Sequence, residues 1–319
     1  MAEGDDSGAR RTVYVALGAN AAIAAAKFAG GLAAGSSAML SEAAHSVADT
    51  TNQVFLLVSL TFSRRPPDAE HPFGYGKARF FWSFMAAVTI FVSGAVFSAY
   101  EGIHRITSTS SESGGFGIAY VVLGFSLIAE SVSLARAWRQ TAGEAREAGE
   151  RHVQFVRGSR DPTTKTVLFE DTAAVTGVLF ALAGVALHQV TGNAAFDGAA
   201  SLAIAGLLAV VAFALGHQTY ELLIGAGAKP EERRAIERVL QQRPEVVEVL
   251  ELLTMAVGPS RLLVAVRFDP SDEMSVADLE RAAAEIDEDL HREVPTVWQV
   301  FLDPTARREV AERRPGRAA

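Results

Sequence analysis

Residues 196–217 read Phe196-Asp-Gly-Ala-Ala-Ser-Leu-Ala-Ile-Ala-Gly-Leu-Leu-Ala-Val-Val-Ala-Phe-Ala-Leu-Gly-His217, a stretch that is apolar almost throughout. An α-helix rises 1.5 Å per residue, so about 20 apolar residues cross the roughly 30 Å hydrocarbon core of a bilayer. The stretch therefore predicts a membrane-spanning helix.

The preceding part of the chain repeats this pattern. Apolar residues make up 49% of the 319 residues, and the mean hydropathy is +0.19, which is more than one soluble core needs. The pattern stops after residue 224. We therefore predict an all-α transmembrane bundle of six helices within residues 12–225, with spans near residues 13–34, 38–62, 80–104, 116–138, 166–188 and 196–223.

Basic residues are distributed unevenly between the predicted loops. Lys and Arg are frequent before the first span, between the second and third, and between the fourth and fifth, whereas Arg105 is the one such residue in the alternate loops. Because basic loops stay on the cytoplasmic side, we expect both termini to be cytoplasmic. The N-terminus has no signal-peptide pattern, so the first span is expected to be retained. We expect a multi-pass protein of the cell inner (plasma) membrane, in contact with lipid.

The C-terminal part of the sequence has the composition of a soluble domain. A polar helix is predicted for residues 231–242, followed by strands at 246–255 and 261–268 that are joined through a Gly-Pro turn. Ser275 with Asp278 is typical of a helix N-cap, and a last strand follows at 297–302. We predict a small cytoplasmic α+β domain of order α-β-β-α-β at residues 226–306 and a disordered tail at 307–319. Such a small sheet favours a homodimer.

Charge and cysteine content exclude several classes of site. The net charge is −8 and there is no cysteine. A nucleic-acid partner would need a basic face, so none is expected. Thiolate ligands are excluded, so a metal site must use oxygen and imidazole donors. No cofactor is expected.

Ionisable side chains inside the predicted spans are the residues that indicate a function. Each costs about 2.5 to 3.5 kcal/mol on insertion scales, so such a group needs partners, water or a bound ion. His45 and Asp49 form His-x-x-x-Asp, a spacing that places both on one helix face, and this pair suits Zn²⁺ better than ions that prefer all-oxygen shells. For Lys27, either snorkelling to the surface or neutralising a carboxylate is compatible with the sequence. The other ionisable residues of this set are Glu42, Glu130, Glu170 and Asp171, and the amide of Asn20 lies in the same span as Lys27.

Motifs in the sequence are similar to those of the cation diffusion facilitator family of metal–proton exchangers. Residues 36–49, Ser36-Ser-Ala-Met-Leu-Ser-Glu-Ala-Ala-His45-Ser-Val-Ala-Asp49, resemble its second-helix motif, and residues 65–77 resemble the loop before its third helix. Asp197 stands where the family has a carboxylate at the start of helix six. Residues 161–174 most resemble the branch of the mitochondrial zinc transporter nine type.

The resemblance implies a function and a site. It implies a homodimer that exchanges a divalent cation for protons, through a tetrahedral site shared by helices two and five. The implied ligands here are His45, Asp49 and Asp171. The family's usual His, four residues before Asp171, is replaced by Val167. The fourth ligand therefore stays open between Glu170, Glu130 and water, and we hypothesise that Glu170 contributes.

Two further departures concern secondary metal sites of the family. In the loop between helices two and three, Asp68, Glu70 and His71 are present but Tyr75 replaces the second His. We interpret this loop as a packed turn rather than a metal site. In the C-terminal domain the family's zinc-binding histidines are replaced, so we expect dimerisation without structural zinc; these positions read Leu250, Ala265 and Phe301.

The sequence thus predicts a divalent cation transporter, with Zn²⁺ as the favoured ion, that exports metal by alternating access coupled to protons. An intramembrane metalloenzyme is the first rival, but no His-Glu-x-x-His motif occurs in the sequence. We expect no enzymatic activity. The second rival is a membrane metal sensor or partner protein that binds metal without transporting it.

Overall fold

The computed structural model describes residues 3–108, 115–158 and 162–306. Helices dominate the first two thirds of the chain. Ala78–Thr107 is one continuous helical stretch, in which a π-helical segment, Ile90–Val96, joins α3 to α4. The helices of this part are α1 (Glu3–Ala34), α2 (Ser37–Ser63), α3 (Ala78–Thr89), α4 (Phe97–Thr107), α5 (Phe116–Glu147), α6 (His152–Gly158), α7 (Pro162–Thr191) and α8 (Ala195–Ile224).

Within the described residues, four helical stretches are long and apolar enough to cross a membrane. They have mean hydropathies between 1.8 and 2.3. The chain therefore has a helical transmembrane domain with four clear apolar spans, and α1 and α2 are not among the four. Both are long helices, and α2 carries polar and charged side chains along much of its length. The four stretches are Ala78–Thr107, Phe116–Glu147, Thr166–Thr191 and Ala195–Ile224.

Small residues permit close approach of the helices. A Cβ atom at Gly102 of α4 would lie 2.8 Å from the carbonyl oxygen of Gly198 in α8. A Cβ at Gly94, in the π-helical segment, would lie 2.9 Å from Leu208 Cδ1. Gly102 requires glycine because the backbone of the facing helix leaves no room for a side chain, as is usual where helices pack in lipid, whereas a side chain at Gly94 would displace the end of Leu208. Leu208 is fully buried in the core between these helices.

The C-terminal part forms a small α+β fold. Its sheet has the order β1-β2-β3, with β1 antiparallel to β2 and β2 parallel to β3. The N-cap prediction is confirmed, since the backbone N–H of Asp278 donates to Ser275 Oγ at 3.2 Å. The element order α-β-β-α-β is therefore as predicted, with bounds α9 (Pro230–Gln241), β1 (Val246–Gly258), β2 (Arg261–Pro270), α10 (Val276–Glu293) and β3 (Val297–Pro304).

The chain divides into two compact units that differ in one respect from the predicted domains. The first contains the chain up to Phe62 and Ala78–Tyr220; the second contains Ser63–Lys77 and the chain from Glu221 onward. Within the second unit, the Phe73 ring lies 6.4 Å from Trp298 and 6.5 Å from Phe301. The segment between α2 and α3 thus packs with the C-terminal sheet. The predicted disordered tail at 307–319 lies outside the described residues.

Candidate metal-ion site in the transmembrane unit

Four helices of the transmembrane unit, α1, α2, α5 and α7, surround a cavity of about 170 Å³. About 15 Å³ of such space is enough for one water molecule, so a partly hydrated cation fits. Nine of the thirteen lining residues are polar, and four of these are carboxylic acids, from α2, α5 and α7. The polar lining residues are Asn20, Ser46, Asp49, Asn52, Gln53, Glu130, Ser133, Glu170 and Asp171.

Three of the four predicted ligands, Asp49, Glu170 and Asp171, line this cavity. His45 is not among the lining residues; it is 1% exposed, and its Nδ1 lies 3.5 Å from Asp49 Oδ1. Neither ring nitrogen of His45 has a hydrogen-bond partner among the described residues. A buried imidazole normally makes hydrogen bonds, so one without them is a group that a cation could satisfy.

The four predicted ligands are not gathered at coordination distance. Among the described residues, no group of three or more His, Asp or Glu side chains is arranged to hold a metal ion. The ligand set therefore stays a prediction.

Glu170 and Asp171 are adjacent in sequence, and each contacts a different helix. The Asn52 side-chain amide, from α2, lies 2.7 Å and 2.6 Å from the two carboxylate oxygens of Glu170. Ser133 Oγ, from α5, donates to Asp171 Oδ2 at 3.0 Å. Successive residues point about 100° apart around a helix, which explains the divergence. Both side chains nevertheless reach the cavity, so Glu170 needs no local unwinding to line it.

The contacts of Lys27 decide between the two roles that the sequence left open, snorkelling to the surface and neutralising a carboxylate. Lys27 is fully buried, and its Nζ lies 3.1 Å from Glu42 Oε2 and 3.6 Å from Glu130 Oε1. The ammonium also donates to Ser46 Oγ at 2.8 Å. Lys27 therefore neutralises carboxylates inside the bundle and does not snorkel to the surface. A buried charge is tolerated only when it is paired and hydrogen-bonded in this way.

Hydroxyl and amide side chains around the ligands were missed by the sequence analysis. Ser46, Asn52 and Ser133 line the cavity and make the contacts just described. Ser46 and Asn52 lie three residues from Asp49 on either side. This helical spacing from a predicted ligand is the signal that could have found them. Ser133, on a different helix, had no comparable signal.

Asp197 lies outside the cavity and connects two helix ends. It is fully buried and accepts hydrogen bonds from Ser36 Oγ at 2.6 Å, from the Ser37 backbone N–H at 2.6 Å and from Ser37 Oγ at 3.0 Å. Arg105 Nε lies 3.9 Å from its Oδ2. A carboxylate at the start of a helix also interacts favourably with the helix dipole. Asp197 therefore joins the N-terminal ends of α2 and α8.

The segment between α2 and α3 forms a turn closed by Asp68. Asp68 Oδ1 accepts from the backbone N–H of Glu70 at 3.0 Å and of His71 at 2.7 Å, and its Oδ2 accepts from the Tyr75 hydroxyl at 2.6 Å. These bonds, that of Tyr75 first, lower the pKa of the Asp68 carboxyl. The carboxylate is already occupied as an acceptor, in agreement with the interpretation of this segment as a packed turn.

Comparison with known proteins identifies the family. Residues 13–224 match the model of the cation efflux transmembrane domain. The mouse protein "Proton-coupled zinc antiporter SLC30A9, mitochondrial" is 33% identical over 264 residues, which cover 82% of this chain and 46% of the relative. Metal tolerance protein C4 of Arabidopsis thaliana is 32% identical over 272 residues, which cover 85% of this chain and 59% of the relative.

A bacterial relative matches over a shorter region. Zinc transporter ZitB of Escherichia coli is 33% identical over 120 residues, which cover 38% of each chain. The chain spans about half the length of the longer relatives that it matches. The family match covers the helices that surround the cavity. The chain is thus a multi-pass membrane protein that belongs to the cation efflux family, the cation diffusion facilitators, and is similar to the branch that includes the mitochondrial antiporter.

Proposed function

We propose that this protein transports divalent metal cations across the membrane, with Zn²⁺ as the favoured ion, in exchange for protons. One observation supports the proposal most strongly: Asp49, Glu170 and Asp171 line the same cavity within the helices. Beside it lies the buried imidazole of His45, whose ring nitrogens have no hydrogen-bond partner in the part of the chain that the structure describes. Carboxylates in a membrane domain are costly unless a cation or protons neutralise them. Membership in a family of transporters also supports the absence of enzymatic activity.

The donor types favour Zn²⁺ among divalent cations. Imidazole with carboxylates suits Zn²⁺, whereas Mg²⁺ and Ca²⁺ prefer shells made only of oxygen. The names of two relatives agree with this choice: a proton-coupled zinc antiporter and a zinc transporter. We propose His45, Asp49, Asp171 and Glu170 as the ligands.

Proton coupling follows from the chemistry of the ligands. His45 must be neutral, and Asp49, Glu170 and Asp171 must be ionised, to coordinate a metal ion. Protons and metal therefore compete for the same atoms, and a site that alternates between the two sides of the membrane exchanges one for the other. In our proposal α2 and α7, which carry these residues, move relative to the other helices, and metal leaves the cytoplasm.

We propose six spans, with α1 and α2 in addition to the four apolar stretches. Both are long enough to cross the bilayer, and both contribute side chains to the cavity wall. Basic loops favour cytoplasmic termini, and we propose a location in the cell inner (plasma) membrane. The names of the SLC30A9 relatives place those proteins in mitochondria. We further propose that the C-terminal α+β domain forms a homodimer.

A second candidate function is metal binding without transport. Two observations favour it: Val167 lines the cavity where a ligating His would be usual for the family, and no preformed cluster of three ligands occurs among the described residues. A non-transporting sensor would bind Zn²⁺ but carry no flux. The same experiment therefore separates the two candidates.

Flux into proteoliposomes loaded with a zinc-sensitive dye tests the proposal. We expect wild-type protein to carry Zn²⁺ and Asp49→Ala to reduce the flux at least about 100-fold, since a ligand is worth more than the groups that orient it. Glu101→Gln is a matched control, because Glu101 is a carboxylic acid of α4 that does not line the cavity. Undiminished flux in Asp49→Ala contradicts the assignment, and zinc binding without flux in the wild type favours the sensor.

A further inference from the structure

The Lys27 ammonium makes two hydrogen bonds and one longer ion-pair contact with groups beside the cavity. An ammonium group has three N–H donors, and Nζ has three polar contacts: Glu42 Oε2 at 3.1 Å, Ser46 Oγ at 2.8 Å and Glu130 Oε1 at 3.6 Å. The three contacts come from α2 and α5, whereas Lys27 belongs to α1. The amine is thereby fixed at the junction of three helices.

The two carboxylates paired with Lys27 differ in their access to the cavity. Glu42 is fully buried, does not line the cavity and lies against Gly177 of α7. Glu130 is 17% exposed and does line the cavity. Glu130 therefore faces two cationic positions, the amine of Lys27 and any ion in the cavity. Glu42 faces only the first.

Resting on the transport function proposed above, we infer that Lys27 determines ion selectivity by retaining Glu130. Its ammonium holds Glu42 and Glu130 in ion pairs, so the transported cation uses Asp49, Glu170, Asp171 and the imidazole of His45. Glu130 is then a carboxylate beside the ion, not a ligand of it. Lys27 is a positioning residue, since it acts through Glu130 without touching the ion.

Selectivity depends on Lys27 because Glu130 would add an oxygen donor. A site with one imidazole and few carboxylates favours Zn²⁺, whereas each further carboxylate favours Mn²⁺, which accepts oxygen-rich shells. Removal of the amine frees Glu130 to turn to the ion. The expected result is a gain of Mn²⁺ binding and transport relative to Zn²⁺.

The test must avoid a buried carboxylate without a counter-charge, which Lys27→Met alone would create at Glu42. The informative variant is therefore Lys27→Met/Glu42→Gln, compared with Glu42→Gln as its matched control. Competition between Mn²⁺ and Zn²⁺ is measured both as flux into proteoliposomes and as equilibrium binding to the purified full-length protein. We expect the Mn²⁺/Zn²⁺ ratio to rise about tenfold in the double variant and to stay near that of wild type in Glu42→Gln.

A third substitution tests whether Glu130 is the oxygen ligand that the double variant adds. Adding Glu130→Gln to the double variant should return the Mn²⁺/Zn²⁺ ratio to within about threefold of wild type, because the amide is a weaker ligand for a cation than the carboxylate. Lys27→Arg, which keeps the positive charge, should retain the selectivity of wild type. A merely structural role of Lys27 would change protein yield and stability in these variants but not the order of their selectivities.

Specific outcomes overturn the inference. It is wrong if the ratio in the double variant equals that in Glu42→Gln, or if the gain persists when Glu130→Gln is added. Lys27→Gln/Glu42→Gln keeps a hydrogen-bonding side chain at position 27 and serves the same comparison if the methionine variant does not purify as a folded protein. Absence of Zn²⁺ flux in wild type would instead contradict the proposed transport function, and the binding ratios would still decide the role of Lys27.

Discussion

The two halves of α2 have different surroundings. In the N-terminal half, Ser37 donates two hydrogen bonds to Asp197, and the hydroxyls of Ser41 and Ser201 are hydrogen-bonded to each other. In the C-terminal half, Asn52 and Gln53 line the cavity, and the Asn52 side-chain amide contacts Glu170 of α7.

This difference indicates where α2 can move. Buried hydrogen bonds in a low-dielectric environment are costly to leave unmade, so the N-terminal half is fixed to α8. The C-terminal half borders space that a side chain or an ion can enter. Movement of α2 relative to α8 would therefore pivot near Ser37 and displace mainly the half that carries Asn52 and Gln53, with a smaller displacement of Asp49 near the middle of the helix. With the proposed topology, this mobile half lies toward the cytoplasm.

Removal of the Asp197 carboxylate tests whether the N-terminal half of α2 is fixed, and it should have the largest effect of the substitutions that compare the two halves. Asp197→Ala leaves the donors of Ser36 and Ser37 buried without an acceptor, and we expect a loss of about 3 kcal/mol in the free energy of unfolding. Asp197→Asn keeps one carbonyl acceptor and should lose about half as much. Thermal unfolding of the purified protein in detergent measures both. Equal stability of Asp197→Ala and wild type would contradict a fixed N-terminal half.

Cysteine accessibility compares the two halves directly, because the chain has no native cysteine. Gln53 lines the cavity, whereas Ser41 is fully buried. We expect Gln53→Cys to react with a small thiol reagent about tenfold faster than Ser41→Cys, since thiol reactivity depends on access. Labelling is followed by mass spectrometry in the absence of metal. Similar rates at the two positions would mean that both halves are equally open.

The contact between Asn52 and Glu170 should matter for metal affinity. Asn52→Ala removes the amide that contacts both oxygens of Glu170, and we expect Zn²⁺ affinity to fall about tenfold, as is usual when a group that orients a ligand is lost. Thr50→Ala is a suitable control on the same helix, since the Thr50 hydroxyl donates to the Ser46 carbonyl oxygen. Titration with Zn²⁺ measures both. An unchanged affinity in Asn52→Ala would remove Glu170 from the proposed ligand set.

The smallest effect is expected in the segment that follows α2. The pKa of the Asp68 carboxyl is lowered by its hydrogen bonds, so these bonds are intact at neutral pH and are lost only as the pH falls through that lowered pKa. Asp68→Asn weakens them at pH 7. Hydrogen exchange at the amides of Glu70 and His71 should then be about threefold faster. Exchange that is unchanged in Asp68→Asn, or that already rises between pH 7 and pH 5 in wild type, would contradict this role of Asp68.

Much of the fold could be predicted from sequence because it depends on local patterns. The predicted order α-β-β-α-β and the Ser275 cap are confirmed, since alternation and capping act over a few residues. The π-helical segment Ile90–Val96 and the short helix His152–Gly158 had no such pattern and were missed. The placement of Ser63–Lys77 with the C-terminal sheet was missed as well, because it depends on contacts between distant parts of the chain.

The sequence by itself determined that this protein enters a membrane and that acidic, histidine and lysine side chains lie within its helices, since residue type and span length are local properties. Only the tertiary structure decided which of these groups meet. Lys27 pairs with Glu42 and Glu130, Asp197 holds the start of α2, and Asp49 shares a cavity with Glu170 and Asp171. These pairings depend on how each helix is rotated about its axis, and that rotation is set by packing against the neighbouring helices, which no single helix encodes.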